Sequence, residues 1–150
     1  MDENERKNVD EMTPDEIRRE IAILTNAVKS CFDIFNMAHG FTSWYASLYS
    51  GETATGDTSD DVLDELGVPN WPDDIGAAFE LCLQIVRDRY DRNGEKWQVS
   101  TACVGPIYYG AMFIYGNTIM TPGFVRAKSP NLAPSKLALL ALRKMAVSDE

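Results

Sequence analysis

The spacing of the apolar residues changes twice in the second half of the chain, and this change limits the possible folds more than any other feature. Over residues 74–91 the apolar side chains recur every three or four residues, which predicts an amphipathic helix. Over 96–104 the period falls to two, which is typical of a half-buried strand. The run 107–115 is rich in β-forming residues, a third strand is predicted to end by residue 128, and a helix over 134–146 follows. Because short turns join the three strands, we expect an antiparallel meander sheet packed between helices, and so an α+β fold.

The first half of the chain is predicted to add a helical segment to this α-β-β-β-α core. Thr13 can cap a helix, and Glu16 completes a capping box with it. Apolar residues at three- and four-residue spacing predict that this helix extends over 14–38. The same spacing predicts a short second helix over 41–49, and the residues of 50–60 are typical of an exposed loop.

Length and composition predict one domain. A chain of 150 residues matches the usual size of a single domain. Residues 1–12 are polar and are expected to form a flexible tail, with the domain extending over 13–146. Within that domain, 13–67 is expected to be the helical part, including a helical turn over 61–66, and 68–146 the part that contains the sheet.

The net charge of −9 is unevenly distributed, which bears on what the protein can bind. The 55 residues from Lys96 to the last residue carry six basic side chains against two acidic ones. The acidity of the whole chain disfavours direct, sequence-independent binding to nucleic acid. Two interpretations stay open: acidic helices around a neutral-to-basic sheet, or a locally positive surface for an anionic ligand. The acidic cluster, which we define as the five carboxylates within 57–65, is either a solvated loop or a mimic of nucleic acid phosphates.

The residue types that most catalytic and metal sites need are scarce. The chain has one histidine, His39, which argues against His-based triads and multi-histidine metal sites. Its three cysteines are odd in number and widely spaced, so neither a disulfide framework nor a zinc site is indicated. Glycine-rich nucleotide loops and nucleophile elbows are missing, and no apolar run reaches the length of a membrane span. We therefore expect no catalytic residue, no cofactor, no metal and no membrane partner, and the protein is not expected to be an enzyme.

Three stretches of the second half carry a pattern found elsewhere. Residues 71–81 read WPDDIGAAFEL, with a Trp, an Asp-Ile pair and an Ala followed by an aromatic residue. The first strand begins KWQV at 96–99, and the last helix falls within 127–142. Together they resemble the phage ABA-sandwich domain family, small bacteriophage proteins mostly of unknown function, over roughly 68–146. The resemblance implies a sheet between helices and a phage origin, and with it the cytoplasm of an infected bacterial host.

Aromatic and basic residues in the predicted sheet form the candidate ligand-binding site. Trp97 lies on the first strand, Tyr108 and Tyr109 on the second, and Arg126 and Lys128 on the third. Because side chains two apart on a strand share a face, Arg126 can grip a phosphate while Lys128 adds charge. One of the two tyrosines would then supply a stacking platform. The alternative is that both faces of the sheet are covered and the aromatic side chains belong to the core.

The function expected from these features is binding without catalysis. We expect a non-enzymatic phage protein that counters a host defence by binding and sequestering a small anionic, nucleotide-like signal or a host defence protein. The alternative is a self-associating structural or assembly protein with no small ligand. A homo-oligomer is expected, because the apolar strand 107–115 would invite pairing if it lay at the edge of the sheet.

Overall fold

The protein adopts an α+β fold, as expected, in a computed structural model that describes residues 7–38, 40–114 and 123–148. Within these ranges the order of elements is α-β-β-β-α-α-β-β-β-α. The helices are α1 (Pro14–Leu24), α2 (Ser59–Glu65), α3 (Ile75–Asn93) and α4 (Leu132–Ser148). The strands are β1 (Ser30–Asn36), β2 (Phe41–Ser47), β3 (Thr53–Gly56), β4 (Trp97–Val104), β5 (Ile107–Ile114) and β6 (Gly123–Ala127).

The six strands form two separate antiparallel sheets. Sheet A has the order β1-β2-β3, and sheet B has the order β4-β5-β6. Sheet B confirms the predicted meander, and α3 and α4 confirm the two helices predicted beside it. The ends of α3 follow from its sequence: the Asp74 side chain accepts the Ala77 N–H at 3.1 Å, and Gly94 ends the helix with a left-handed φ of 69°.

β1 and β2 lie where the spacing of the apolar residues predicted helices. The helix predicted over 14–38 is therefore correct only as far as Leu24, and the helix predicted over 41–49 is wrong. α1 ends at Leu24, where Thr25 donates its backbone N–H to an earlier carbonyl and Asn26 adopts a left-handed φ of 62°. The chain then enters β1, which pairs with β2 along its whole length. Aromatic and β-branched side chains favour a pleated sheet over a helix, because in a helix they crowd the preceding turn.

The region predicted as a loop over 50–60 contains β3 and the start of α2. β3 pairs with β2, and Thr58 caps α2 by accepting the Asp61 N–H at 3.1 Å. The helical turn predicted over 61–66 is confirmed as part of α2. The N-terminal part, expected to be helical, is therefore a three-stranded sheet with a helix on each side of it in sequence.

Residues 7–12, which were expected to belong to a flexible tail, pack against the rest of the protein. Val9 is buried, and Asp10 Oδ1 lies 3.4 Å from Lys136 Nζ on α4. Residues 1–6 of the expected tail lie outside the described residues.

α3 and α4 lie against the same face of sheet B. Gly110 on β5 sits opposite Val125, and a Cβ added to it would meet Leu137 Cδ1 of α4 at 2.8 Å. On the same face, the ring centroid of Trp97 lies 5.6 Å from the guanidinium carbon of Arg89 on α3. α4 also contacts α1, so it packs against both sheet B and the N-terminal part of the buried core.

β5 is the central strand of sheet B, with β4 on one side and β6 on the other. The self-association expected from the strand 107–115 depended on that strand lying at an edge, so the reason given for it is wrong. Residue 115 lies outside the described residues. A homo-oligomer stays a prediction and needs a different surface.

Candidate functional site

The register of sheet B decides which of the predicted site residues share a face. Tyr109 lies opposite Arg126 on β6 and opposite Ala102 on β4. Side chains directly opposite each other in an antiparallel pair point to the same side of the sheet. Lys128 follows the end of β6 two residues after Arg126, and both side chains are exposed. The structure therefore brings Tyr109 and Arg126 together on one face, and Lys128 lies two residues after Arg126 in the chain.

The other two aromatic residues of the predicted site point the opposite way. Trp97 and Tyr108 have the parity of Gly110, so they face α3 and α4. Trp97 is only 8% exposed, and its Nε1 has no hydrogen-bond partner among the described residues. Tyr108 lines a cleft of about 240 Å³ together with Phe79 of α3, and Tyr109 and Ala102 also border this cleft. The register therefore places neither Trp97 nor Tyr108 on the face of the sheet that carries Arg126.

We call the face of sheet B that carries Ala102, Tyr109 and Arg126 the open face. α3 and α4 cover the opposite side of the sheet, and the short helical turn Val9–Glu11 contacts β6. Ser100, Ala102 and Arg126 are exposed, and Tyr109 is half-buried. The sequence left open whether both faces of the sheet are covered. The exposure of these side chains argues against a second covered face within the described residues.

Some of the basic side chains in the last third of the chain form contacts within the protein. Lys136 is 7% exposed, and its ammonium donates to Arg126 O at 2.9 Å as well as pairing with Asp10. Arg143 on α4 binds the Glu20 carboxylate of α1, with one of its nitrogens 2.7 Å from Oε1. These two cations therefore hold α4 to its neighbours, which leaves Arg126 and Lys128 as exposed positive side chains of the candidate site.

The bond from Lys136 to Arg126 O also has a consequence for the site itself. It ties the backbone of β6 at Arg126 to α4, the helix that packs on the far side of the sheet. Because this backbone is already held in place, ordering it adds little to the entropic cost of binding a ligand. The guanidinium is thus presented on a rigid strand rather than on a loop.

Two carboxylates of the acidic cluster have a structural role that the sequence did not reveal. Arg18 of α1 is fully buried and donates to Asp60 Oδ1 at 2.9 Å and to Asp64 Oδ1 at 2.7 Å. It also donates to the carbonyl oxygens of Val68 and Pro69, at 2.7 Å and 3.2 Å. Both carboxylates therefore help to hold α2 against α1, which accounts for their presence without mimicry of nucleic acid. The position of Arg18 next to the buried apolar residues of α1 was the signal in the sequence that could have indicated a buried ion pair.

The cysteines differ in environment, and none lies beside a catalytic partner in the described residues. Burial raises the pKa of the Cys82 thiol to about 12, so it stays protonated near neutral pH. Burial also raises the pKa of Cys31. Among the described residues no group of three or more His, Cys, Asp or Glu could hold a metal ion, and His39 lies outside them. The described helices are also too short or too polar to cross a membrane.

Comparison with known proteins assigns no family to this chain. No protein-family model matches its sequence, and no curated protein matches it either. The resemblance of residues 71–81 to the phage ABA-sandwich domain therefore stays an expectation, and the functional argument rests on the geometry of sheet B and its surroundings.

Proposed function

We propose that this chain is a non-enzymatic binding protein whose open face captures a small anionic, nucleotide-like ligand. In the phage setting that the resemblance implies, such a protein would counter a host defence by sequestering a signal molecule in the cytoplasm of the infected cell. The observation that carries the proposal is that Tyr109 lies opposite Arg126 on the face of sheet B that is turned away from α3 and α4 and on which Arg126 is exposed.

The chemistry of the three residues supports an anion that also carries a planar ring. The guanidinium of Arg126 presents a planar fork of donors that matches a phosphate, and Lys128 adds a point charge beside it. The neighbouring ring of Tyr109 can stack on a base, and its hydroxyl can form a hydrogen bond. Since Lys136 and Arg143 are engaged inside the protein, the ligand would meet positive charge at this face rather than across the whole C-terminal third.

The proposal is tested by incubating the protein with a panel of nucleotides and weighing the complexes by native mass spectrometry. For a nucleotide that binds, Arg126→Ala should weaken the affinity about tenfold or more, since a lost charge-assisted hydrogen bond costs about 1.5–3 kcal/mol. Arg87→Ala is the matched control, because Arg87 is an exposed arginine on α3 that pairs with Glu80 away from sheet B. The control should bind as tightly as the parent protein.

A second pair of variants tests the stacking role. Tyr109→Phe keeps the ring and should retain most of the affinity, whereas Tyr109→Leu removes it and should weaken binding by several-fold, as loss of one stacked base costs about 1–3 kcal/mol. Equal affinity of Arg126→Ala and the parent would contradict the site. Failure of every nucleotide to bind would contradict the small ligand and favour a host protein as the partner.

A self-associating assembly protein remains the second candidate, and a specific feature favours it. The hairpin of β1 and β2 exposes several large apolar side chains, among them Phe35 and Met37. Exposed apolar patches of this kind commonly mark protein–protein contacts.

A further inference from the structure

The cleft that Tyr108 lines lies at the end of sheet B where α3 and α4 begin, and we call it the helix-side cleft. Ile75 is the first residue of α3, Ala133 the second residue of α4 and Cys103 the last but one of β4, and all three line it. Cys103 lies opposite Tyr108, so both have the parity that faces the helices. The helix-side cleft is therefore formed mainly by residues that face away from the side of sheet B on which Arg126 lies.

The lining of the helix-side cleft is aromatic and apolar. Phe79 of α3 and Tyr108 of β5 bring two aromatic side chains to it, and both are half-buried. Ile75 is 41% exposed, so apolar surface at the cleft is in contact with water. None of the described residues that line the cleft has a charged side chain. An uncharged ring placed here would remove apolar surface from water, whereas a charged group would lose its hydration without gaining a partner.

Three of the lining residues add polar atoms to this apolar surface. Thr101 and Tyr108 carry hydroxyl groups, and Cys103 carries a thiol that donates to Gly105 O at 3.3 Å. In the described part of the chain neither hydroxyl is bonded to another protein group. A small number of polar groups in an apolar cleft commonly orients a small ligand. The matching ligand therefore carries at least one hydrogen-bonding atom.

The volume of the helix-side cleft limits the ligand to one or two rings. An apolar cavity of roughly 150 Å³ holds a benzene molecule. The helix-side cleft, at about 240 Å³, has room for two fused rings but is smaller than the roughly 300–1,000 Å³ of sites for drug-sized ligands. The side chains of Ala133 and Cys103 are small, and a larger residue at either position would fill part of this space.

We propose that the helix-side cleft binds an uncharged planar compound of one or two fused rings that carries a hydrogen-bonding group. The aromatic side chains of Phe79 and Tyr108 contact the ring, and the hydroxyl of Thr101 or Tyr108 bonds its polar atom. The absence of charged side chains from the described lining selects against an anion, and the volume selects against a larger molecule.

This site goes beyond the proposed function, because it differs from the open face in position and in the charge of its ligand. Arg126 lies on the face of sheet B opposite to Tyr108 and Cys103. Arg126→Ala should therefore leave binding of an uncharged ring unchanged. Loss of ring binding in a cleft variant would leave Arg126 and Lys128 in place. The two proposals can fail separately.

The test is a titration of the whole chain with indole, an uncharged planar compound of two fused rings with one N–H donor, followed by amide NMR. Amides of 101–103 and 133 should shift and saturate, with a dissociation constant below about 2 mM, as expected for a ligand of this size. Phenol and cyclohexanol then compare the same hydroxyl on a planar and on a puckered ring. Phenol should bind at least about threefold more tightly, because only a planar ring stacks on aromatic side chains.

A filled cleft tests the location of the site. Cys103→Trp places an indole side chain in the helix-side cleft from an exposed position of β4, so it should raise the dissociation constant of free indole at least about tenfold. Val104→Trp is the matched control, because Val104 is the next residue of β4, is 66% exposed and points to the other side of the sheet. The control should bind indole within about twofold of the parent protein.

Alkylation of the unmodified protein keeps the proposal testable if a variant fails to fold. Cys103 is exposed, Cys31 is half-buried and Cys82 is buried, so iodoacetamide reaches the three thiols at different rates. At about ten times its dissociation constant, indole should slow the alkylation of Cys103 at least about fivefold and leave that of Cys31 unchanged. Peptide mass spectrometry measures the two rates in one experiment.

Four results would overturn the proposal. The first is the absence of saturable shifts up to about 5 mM indole. The second is a set of shifts that maps to the exposed rings of Phe32 and Phe35 instead, since these belong to sheet A. The third is binding of cyclohexanol as tight as that of phenol. The fourth is a Cys103 that is alkylated at the same rate with and without indole.

Discussion

Arg18 combines a fully charged side chain with complete burial, a combination that proteins use only when the charge is paired. Its guanidinium reaches the carboxylates of Asp60 and Asp64 and the carbonyls of Val68 and Pro69, all at hydrogen-bonding distance. A lysine has a single nitrogen and could not reach all four acceptors from one position. One side chain thus joins α1, α2 and the segment that leads to α3.

Replacing Arg18 by alanine should lower the free energy of unfolding by about 3–5 kcal/mol, because two carbonyl oxygens lose their donor and a cavity remains. Urea denaturation followed by circular dichroism measures this change. Asp60→Asn is the control and should cost less than about 1 kcal/mol, since the Asp60 side chain is 46% exposed and water can replace its partner. An Arg18→Ala protein within about 1 kcal/mol of the parent would contradict this role.

The sequence predicted the kind of residues at the candidate site but only part of their arrangement. Alternation along β5 indicated that one of Tyr108 and Tyr109 would share a face with Arg126, and the register selects Tyr109. That choice depends on how β5 and β6 are aligned, which strand periodicity does not contain. The partners of Arg18 could not be predicted from local sequence patterns either, because they lie 42 to 51 residues away in the chain.

At the level of elements, α1 illustrates both the strength and the limit of local signals. Its start was predictable, because a cap depends on adjacent residues: Thr13 Oγ1 accepts the Glu16 N–H, and Glu16 Oε1 accepts the Thr13 N–H. Its end at Leu24 was not, because apolar spacing continues smoothly into the strand that follows. Residues 30–47 form a hairpin because β1 and β2 pair with each other, and this pairing is a nonlocal effect.

The cap of α1 should make the stability of the protein sensitive to acid. The Thr13 side chain donates to Asp15 and lowers the pKa of that carboxyl, and the backbone N–H of Thr13 lowers the pKa of Glu16. A lowered pKa means that the folded state favours the deprotonated form. The stabilisation is therefore complete above the ordinary value of 4.5 for Glu16 and is lost as pH falls through the lowered values.

Thr13→Ala should accordingly cost about 1 kcal/mol at neutral pH and progressively less as the pH falls toward about 3. Urea denaturation at a series of pH values gives the difference between variant and parent. Thr58→Ala at the cap of α2 is the matched control, because that hydroxyl accepts a backbone N–H, which does not titrate. A difference for Thr13→Ala that is as large in acid as at neutral pH would argue against the assignment.

At the scale of the whole molecule, the two sheets share one buried core, in which α4 packs on sheet B and on α1. A single cluster of buried residues includes Ala46 and Ala54 of sheet A, Leu137 of α4 and Val125 of sheet B. Ion pairs from α4 to the N-terminal region, such as Arg143 with Glu20, reinforce the packing. The sequence suggested a division near residue 67 from its change of pattern, but the packing joins the two parts.

We therefore expect the chain to unfold as one cooperative unit. Tryptophan fluorescence can be assigned to one sheet at a time, with Trp44 in sheet A and Trp97 in sheet B, by replacing the other tryptophans with phenylalanine. In each variant the midpoint of urea unfolding from fluorescence should coincide with the midpoint from circular dichroism, because α4 packs on sheet B and on α1, which in turn contacts sheet A. Both midpoints are measured on the same variant, so a loss of stability caused by the tryptophan substitutions shifts the two midpoints together. A fluorescence transition of Trp44 at clearly lower urea than the helical transition would mean that sheet A unfolds separately, and that α4 does not couple the two halves.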